Sequence, residues 1–307
     1  MSTVVINLNT TIGAYQIGVL VSYVLFGVAT AQTYMYFSHF PEDSPKLKAL
    51  VAFVWVCEMG FTVCIGYALY EYTIIGYGRP EIIFDSSRAR SLDMAYLFDG
   101  SIAASVQGFF SYRIYALSRK LYIPIVIWTL ILLRLLACVM LCVEGLEATS
   151  IATYQIQWEW LVTSLSSVST VNDCVITVTL CILLHKQRTN AYKRTGTLLN
   201  KLILWTIETG MLTSASAVVT VVFTVAMKGN FIFFGFYILE ARLFSNSLLA
   251  NLNSREALRA LNNRHFSLSN INTTTTMPEI NLPCANSVKT TYVAQTTRDG
   301  DTSLFHV

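Results

Sequence analysis

The sequence predicts an all-α fold: a polytopic membrane protein, a seven-transmembrane-helix bundle with its N-terminus outside and its C-terminus cytoplasmic. Three observations lead there. Hydrophobic residues make up 54% of the 307 residues and charged ones only 13%, with a mean hydropathy of +0.52. A soluble domain carries about 25% charged residues. Seven apolar runs are each long enough to cross about 30 Å of hydrocarbon at ~1.5 Å per residue. The lysines and arginines between these runs are unevenly shared between the two sides. The net charge of +3 is too small to point to nucleic acid as a partner.

A short extracellular N-terminus, 1–12, precedes the bundle at 13–252. "MSTVVINLNTT" lacks a basic region and the apolar run after it is too long for a leader, so no cleaved signal is expected. The spans fall at Gly13–Phe37, Leu50–Ile74, Ser91–Tyr112, Leu121–Val143, Trp160–Leu184, Leu198–Ala226 and Phe231–Leu252. Beyond them "NSREALRALNNR" reads as a cytoplasmic surface helix, 253–266, with Asn253 as N-cap and Glu256 as its capping-box partner. Residues 267–307 are rich in Ser, Thr and Asn, with too few apolar residues to offset ordering, and are expected to be a disordered tail.

Orientation follows from the loops. One side carries Lys46, Lys48, Arg113, Arg119, Lys120, Lys186, Arg188, Lys193, Arg194, Lys201, Arg255, Arg259 and Arg264. The other carries Arg79, Arg88, Arg90 and Lys228. Thirteen against four places the first side in the cytoplasm. Asn9-Thr10-Thr11 is then an outside glycosylation acceptor close to the membrane. Trp158 and Trp160 fit an outer aromatic belt; Tyr112, Tyr115 and Tyr122 fit an inner one.

Seven charged residues fall inside the spans: Glu58, Asp99, Arg134, Asp173, Glu208, Glu240 and Arg242. Counted from the cytoplasmic ends, all lie at a depth of about 12–20 Å. A charge there costs roughly 2.5–3.5 kcal/mol on insertion scales, so it needs a partner or a role. They are expected to form an intramembrane polar core, either as a site or as interhelical glue. Two arginines leave part of five carboxylates unmatched, and the remainder must take up protons or hold a cation or water. A proton- or sodium-sensitive core follows as one reading. Glu240 and Arg242 cannot pair with each other, because two residues turn a helix by about 200°. Glu240 instead shares a face with Ser247 and Asn251, and Arg242 one with Asn246 and Asn253. Arg242 is too deep to snorkel, and the predicted buried ion pair is Asp173 with Arg242, ahead of Glu208 and Glu58. Stripes of Ser166, Ser169, Asp173 and Thr177, and of Thr209, Thr213, Ser216 and Thr220, suit close helix packing.

Familiar chemistry is missing, and neither a catalytic residue nor a cofactor is expected. The histidines, His39, His185, His265 and His306, all lie at span ends or beyond them, which argues against an intramembrane zinc hydrolase. No span contains the lysine that a retinal Schiff base requires. Cys57/Cys64, Cys138/Cys142 and Cys174/Cys181 have helical spacings and read as packing residues rather than thiolate metal ligands; Cys284 stands alone.

Several phrases belong together: "GVATAQTYMYFSHFPED", "FFSYRIYALS", "ND" at Asn172-Asp173, "KRTGTLLNKLI", "ETGMLTS" and "RLFSNSLLANLNSR". Over Gly13 to Arg259 the chain resembles the seven-pass membrane proteins of basidiomycete fungi catalogued as a domain of unknown function. That resemblance implies seven helices and a fungal membrane protein, and brings no activity or ligand. Asp173 and Arg242 match its pattern. The chain departs at Phe61, where the family tends to have a histidine after the acid matched by Glu58, at Glu208, usually Asn, at Glu240, usually apolar, and at Gly196, usually polar.

Three functions compete. A receptor-like sensor fits seven spans, an outside N-terminus, a basic 185–201 loop and a Ser/Thr-rich tail, although "SYR" lacks the preceding acid of a rhodopsin-like switch and no "NPxxY" closes the last span. A proton- or cation-coupled transporter or channel fits the surplus carboxylates, without the broken helices such folds use. A structural scaffold is third. An enzyme is not expected. The expected partners are the lipid bilayer, an ion or small-molecule ligand in the bundle core and a cytoplasmic protein at 185–201. The plasma membrane is the expected location, with an endomembrane as the alternative.

Overall fold

The computed structural model describes residues 9–78, 90–147, 151–190, 207–208, 210–216, 218–220, 222–223 and 232–274. Helices dominate them and no strand occurs among them. The helices are α1 (Ala14–His39), α2 (Pro45–Tyr70), α3 (Arg90–Ser118), α4 (Tyr122–Glu147), α5 (Ile151–Asn190), α6 (Gly210–Thr220) and α7 (Ile232–Thr274). π-Helical turns at Asn9–Gly13 and Glu71–Ile75 extend α1 and α2.

The helix ends have local causes. Ser44 accepts the Leu47 N–H on its Oγ at 3.4 Å, and Pro45 occupies the first turn, where its missing N–H costs nothing, so α2 begins ahead of its apolar run. α3 stops because Arg119 adopts a left-handed φ of 57°, returning its N–H to Tyr115 O at 2.8 Å. Only Arg119–Leu121 then separates α3 from α4.

Residues 1–253 form one compact unit and residues 254–307 a second. The expected helix start at Asn253 is corrected: α7 runs unbroken from Ile232 to Thr274. Asn253 sits mid-helix, and its amide donates to Gln32 O on α1 at 2.8 Å instead of capping. Residues 267–274 are helical, and the remainder of the tail expectation, 275–307, lies outside the described residues. So does most of the 185–201 loop, and so do Arg79, Arg88 and Lys228.

Burial runs opposite to that of a water-soluble bundle. Asp93, Asp99, Gln107 and Ser111 on α3 are buried, whereas Leu132, Leu133, Leu136 and Met140 on α4 are exposed. Such a surface suits lipid, not water. Four helical stretches are long and apolar enough to cross a bilayer: Thr11–His39, Pro45–Ile75, Tyr122–Glu147 and Trp160–Gln187. These mark the chain as a membrane protein. α3 is of comparable length and α7 is longer, but both carry the inward polar residues described below.

Contacts fix the helix directions. Tyr15 OH donates to Ile65 O, and Trp55 Nε1 to Thr30 Oγ1, so α1 and α2 are antiparallel. Asp99 meets Arg134 while Asp93 packs against Gly145, which makes α3 and α4 antiparallel too. Thr177 faces Gly210 and Cys174 faces Ser214, giving the same relation for α5 and α6. α7 runs parallel to α1 through Gly18–Gly235 and Gln32–Asn253, and parallel to α3 through Asp99–Tyr237 and Arg113–Asn251. α5 runs parallel to α3, since Tyr96 and Ser166 line one cavity and Gln107 bonds to Asp173, so the described helices alternate in direction along the chain.

Candidate functional site

Six buried charged residues form two clusters on opposite sides of α7, while Asp93 and Glu71, also buried, lie outside them. Arg242 and Glu240 point to different neighbours, as their spacing requires.

The first cluster joins α7 to α1 and α2. Arg242 has no exposed surface. Its guanidinium is ion-paired with Glu58 Oε2. Nε donates to Ser22 Oγ at 2.7 Å, Nη2 to Thr62 Oγ1 at 2.8 Å, and Nη1 to the Glu58 carbonyl at 3.2 Å. Phe26 and Phe61 flank it, with ring centroids 5.4 and 4.9 Å from Cζ. Ser245 donates to the second Glu58 oxygen. Below it on the same face, Asn246 donates to Leu25 O at 3.2 Å. One acid, one base and nearly every donor are matched, so this cluster is a neutral clamp.

That arrangement corrects the expected Asp173–Arg242 pair. Depth alone left Asp173, Glu208 and Glu58 as candidates, but the Arg242 face of α7 turns to α1 and α2, and only Glu58 lies there. Phe61 meanwhile fills, with its ring, a place on the guanidinium's flank.

The second cluster joins the Glu240 face of α7 to α3, α4 and α5. Arg134 Nη2 donates to Asp99 Oδ2 at 3.2 Å and lies 3.8 Å from Glu240 Oε1. Its Nη1 donates to Ser169 Oγ at 2.5 Å, and Ser169 donates onward to Glu240 Oε1 at 3.3 Å. Tyr237 OH donates to Asp99 Oδ2 at 2.9 Å. Deeper in the bundle, Gln107 Nε2 donates to Asp173 Oδ1 at 2.8 Å, and Asn172 Nδ2 donates to Gln107 Oε1 at 3.0 Å. The α3 contribution ends with Arg113, which donates to Asn251 Oδ1 at 2.9 Å.

Six of the seven expected core residues are therefore buried, while Glu208 is exposed and belongs to neither cluster. Gln107, Asn172, Ser169 and Tyr237 complete the second cluster and were not singled out from the sequence as site residues. Their available signal was position: Gln107 lies two turns below Asp99, and Asn172 adjoins Asp173.

Charge is unevenly divided between the clusters. Glu58 and Arg242 match one to one. Among the described residues of the second cluster, Arg134 pairs with Asp99 and Glu240, and a third carboxylate, Asp173, is joined to the same cluster without a cation of its own. Two small cavities flank this second cluster. One, about 20 Å³, is lined by Tyr96, Asp99, Arg134, Ser166, Tyr237 and Glu240 among others. The other, about 30 Å³, includes Gln107, Asp173, Thr177, Thr213 and Ser247. Pockets for organic ligands span roughly 300–1,000 Å³, whereas a site of ~10–15 Å³ already admits a water. These cavities suit water or a small ion. Among the described residues no group of three His, Cys, Asp or Glu side chains could hold a metal, and the described cysteines are free thiols.

Residues 169–257 match DUF6534, a family of unknown function. The matched segment opens at Ser169 and takes in Asn172, Asp173, Glu240, Arg242 and Ser245. The DUF6534 segment thus supplies one side of each cluster, from α5 and α7. Glu58, Asp99, Gln107 and Arg134, their partners, precede it. No curated protein matches the sequence.

Proposed function

We propose that this chain is a seven-span membrane protein with its N-terminus outside and its C-terminus in the cytoplasm, that it acts as a receptor-like sensor, and that it is not an enzyme. The observation that carries this reading is the position of α7 between a matched clamp and an unmatched cluster. On one face Arg242 and Glu58 hold α7 to α1 and α2. On the other, among the described residues, Arg134 pairs with two carboxylates and a third has no cation of its own, so the hold on α3, α4 and α5 depends on what else neutralises them. A helix fixed on one side and charge-dependent on the other is a two-state element, and its last bundle turn carries Asn251 and Asn253 toward the basic end. Alternating helix directions support the odd number of spans that puts the termini on opposite sides.

The surplus of carboxylates also favours a second reading, a proton- or cation-coupled transporter. Flux separates the two. Purified protein in sealed proteoliposomes should pass neither protons nor sodium faster than empty vesicles under an imposed gradient. Sustained flux, abolished by Asp173→Asn, would replace the sensor reading with the transporter.

A further inference from the structure

We infer that the cavity beside Asp173 binds a small monovalent cation of sodium size, held by the Asp173 carboxylate and the neutral oxygens that converge with it. The carboxylate is only 5% exposed, yet just one of its oxygens is engaged. Oδ1 accepts from Gln107 at 2.8 Å, whereas Oδ2 has no hydrogen-bond partner among the described residues. A buried anionic oxygen left without a donor is strongly unfavourable, so the position calls for a positive charge. Among the described residues no arginine or lysine pairs with Asp173. The arginine of this cluster, Arg134, is held by Asp99 at 3.2 Å with Glu240 at 3.8 Å, one positive charge already exceeded by two negative ones.

The cavity itself states the class of ligand. Between apolar walls it is lined by Gln107, Thr177, Thr213 and Ser247, all uncharged; Gln107 turns its amide N–H to the carboxylate, which leaves the three hydroxyls as the neutral oxygens. Thr213 Oγ1 donates its proton to Gly210 O at 3.2 Å, which leaves its lone pairs for a cation. One negative charge with neutral oxygens matches one positive charge. Calcium takes six to eight oxygens and several carboxylates, and softer metals want imidazole or thiolate, which the lining lacks. A volume of about 30 Å³ holds one such ion with a single water and excludes organic ammonium groups. A proton on Asp173 would also cancel its charge, but it would require neither the cavity nor the three hydroxyls gathered around it.

The inference goes beyond the sensor reading and is measured separately from it, since a bound ion does not imply an ion transported. Full-length protein in detergent would be heated in sodium chloride and in choline chloride at the same ionic strength and pH. Sodium should raise the unfolding midpoint saturably, by about 5 °C or more once in large excess over its dissociation constant. Asp173→Asn, which keeps the side-chain shape and the Gln107 contact, should remove the sodium shift. Thr213→Val removes one oxygen without touching charge and should raise the half-saturating sodium concentration about tenfold. Equal midpoints in sodium and choline would overturn the site, as would a sodium shift that survives in Asp173→Asn. If Asp173→Asn fails to fold, an unchanged half-saturation in Thr213→Val overturns it equally.

Discussion

Arg242 shows how much a single buried side chain can hold together. Its guanidinium reaches Ser22 on α1, Thr62 and Glu58 on α2, and lies between two phenyl rings. Removing one partner of such a pair strands the other charge in a dry interior, at a cost of roughly 3–5 kcal/mol. Arg242→Met and Glu58→Gln should each destabilise by about that order, and the double variant by clearly less than their sum. Unfolding in detergent measures the cycle, and additivity within about 0.5 kcal/mol would mean the pair is not coupled. The second cluster should answer differently. Glu240→Gln removes a surplus charge while leaving Arg134 with Asp99, so it should cost less than about 1 kcal/mol or stabilise. Arg134→Leu leaves Asp99 and Glu240 without their shared cation and should be the most damaging single change in the bundle. Equal losses for the two would show that the charges there are matched after all. The sequence made these residues legible as a set, because 1.5 Å per residue fixes depth and 100° per residue fixes which α7 side chains share a face. It did not say which neighbour each face meets. That depends on how α7 is rotated against five other helices, and the difference over Asp173 arises there.

At the scale of the element, α7 can stand close to α1 because both helices offer glycine at the contact. A Cβ on Gly18 would lie 2.7 Å from Gly235 Cα, closer than real side-chain atoms come to backbone. Small residues at such crossings bring backbones together, the usual source of packing between helices in lipid. Gly18→Ala should therefore force α1 and α7 apart and destabilise by about 1–3 kcal/mol, with loss of the Ser22–Arg242 contact one turn on. Gly27 on the same helix has nothing within 4 Å of such a Cβ. Gly27→Ala should be neutral or gain up to about 1 kcal/mol from helix propensity. Thermal unfolding of the two variants side by side tests the contact, and equal behaviour would mean that α1 and α7 are not in register there. Helix extents were legible from apolar runs to within a turn or so for α1 and α4. α5 and α7 overran their apolar segments, since a polar sequence such as "NSREALRALNNR" has good helix formers and nothing that stops a helix already under way.

For the whole molecule, two independent lines bear on which side each end faces. The first is geometric. Gly18 near the start of α1 meets Gly235 near the start of α7, and Gln32 near the end of α1 meets Asn253. Helices α1, α3, α5 and α7 thus run one way, with α2, α4 and α6 returning, so residues near 14 and near 253 lie at opposite ends of the bundle. The second line is electrostatic. Lys46, Lys48, Arg113, Arg119 and Lys120 gather at the end where α1 and α3 finish and α2 and α4 begin, and that end also receives Asn253. Lysine and arginine in short loops stay on the cytoplasmic side, because they resist transfer across the membrane during insertion. A protease-cleavable tag placed after Val307 should then be protected in intact cells, while one before Ser2 should be cut. Permeabilising the membrane should expose both. The two tags respond independently, which separates the arguments. Tags that are both cut or both protected would contradict the alternation of helices. The exchanged pattern would leave the alternation intact and refute the charge argument, and with it the outside N-terminus on which the sensor reading depends.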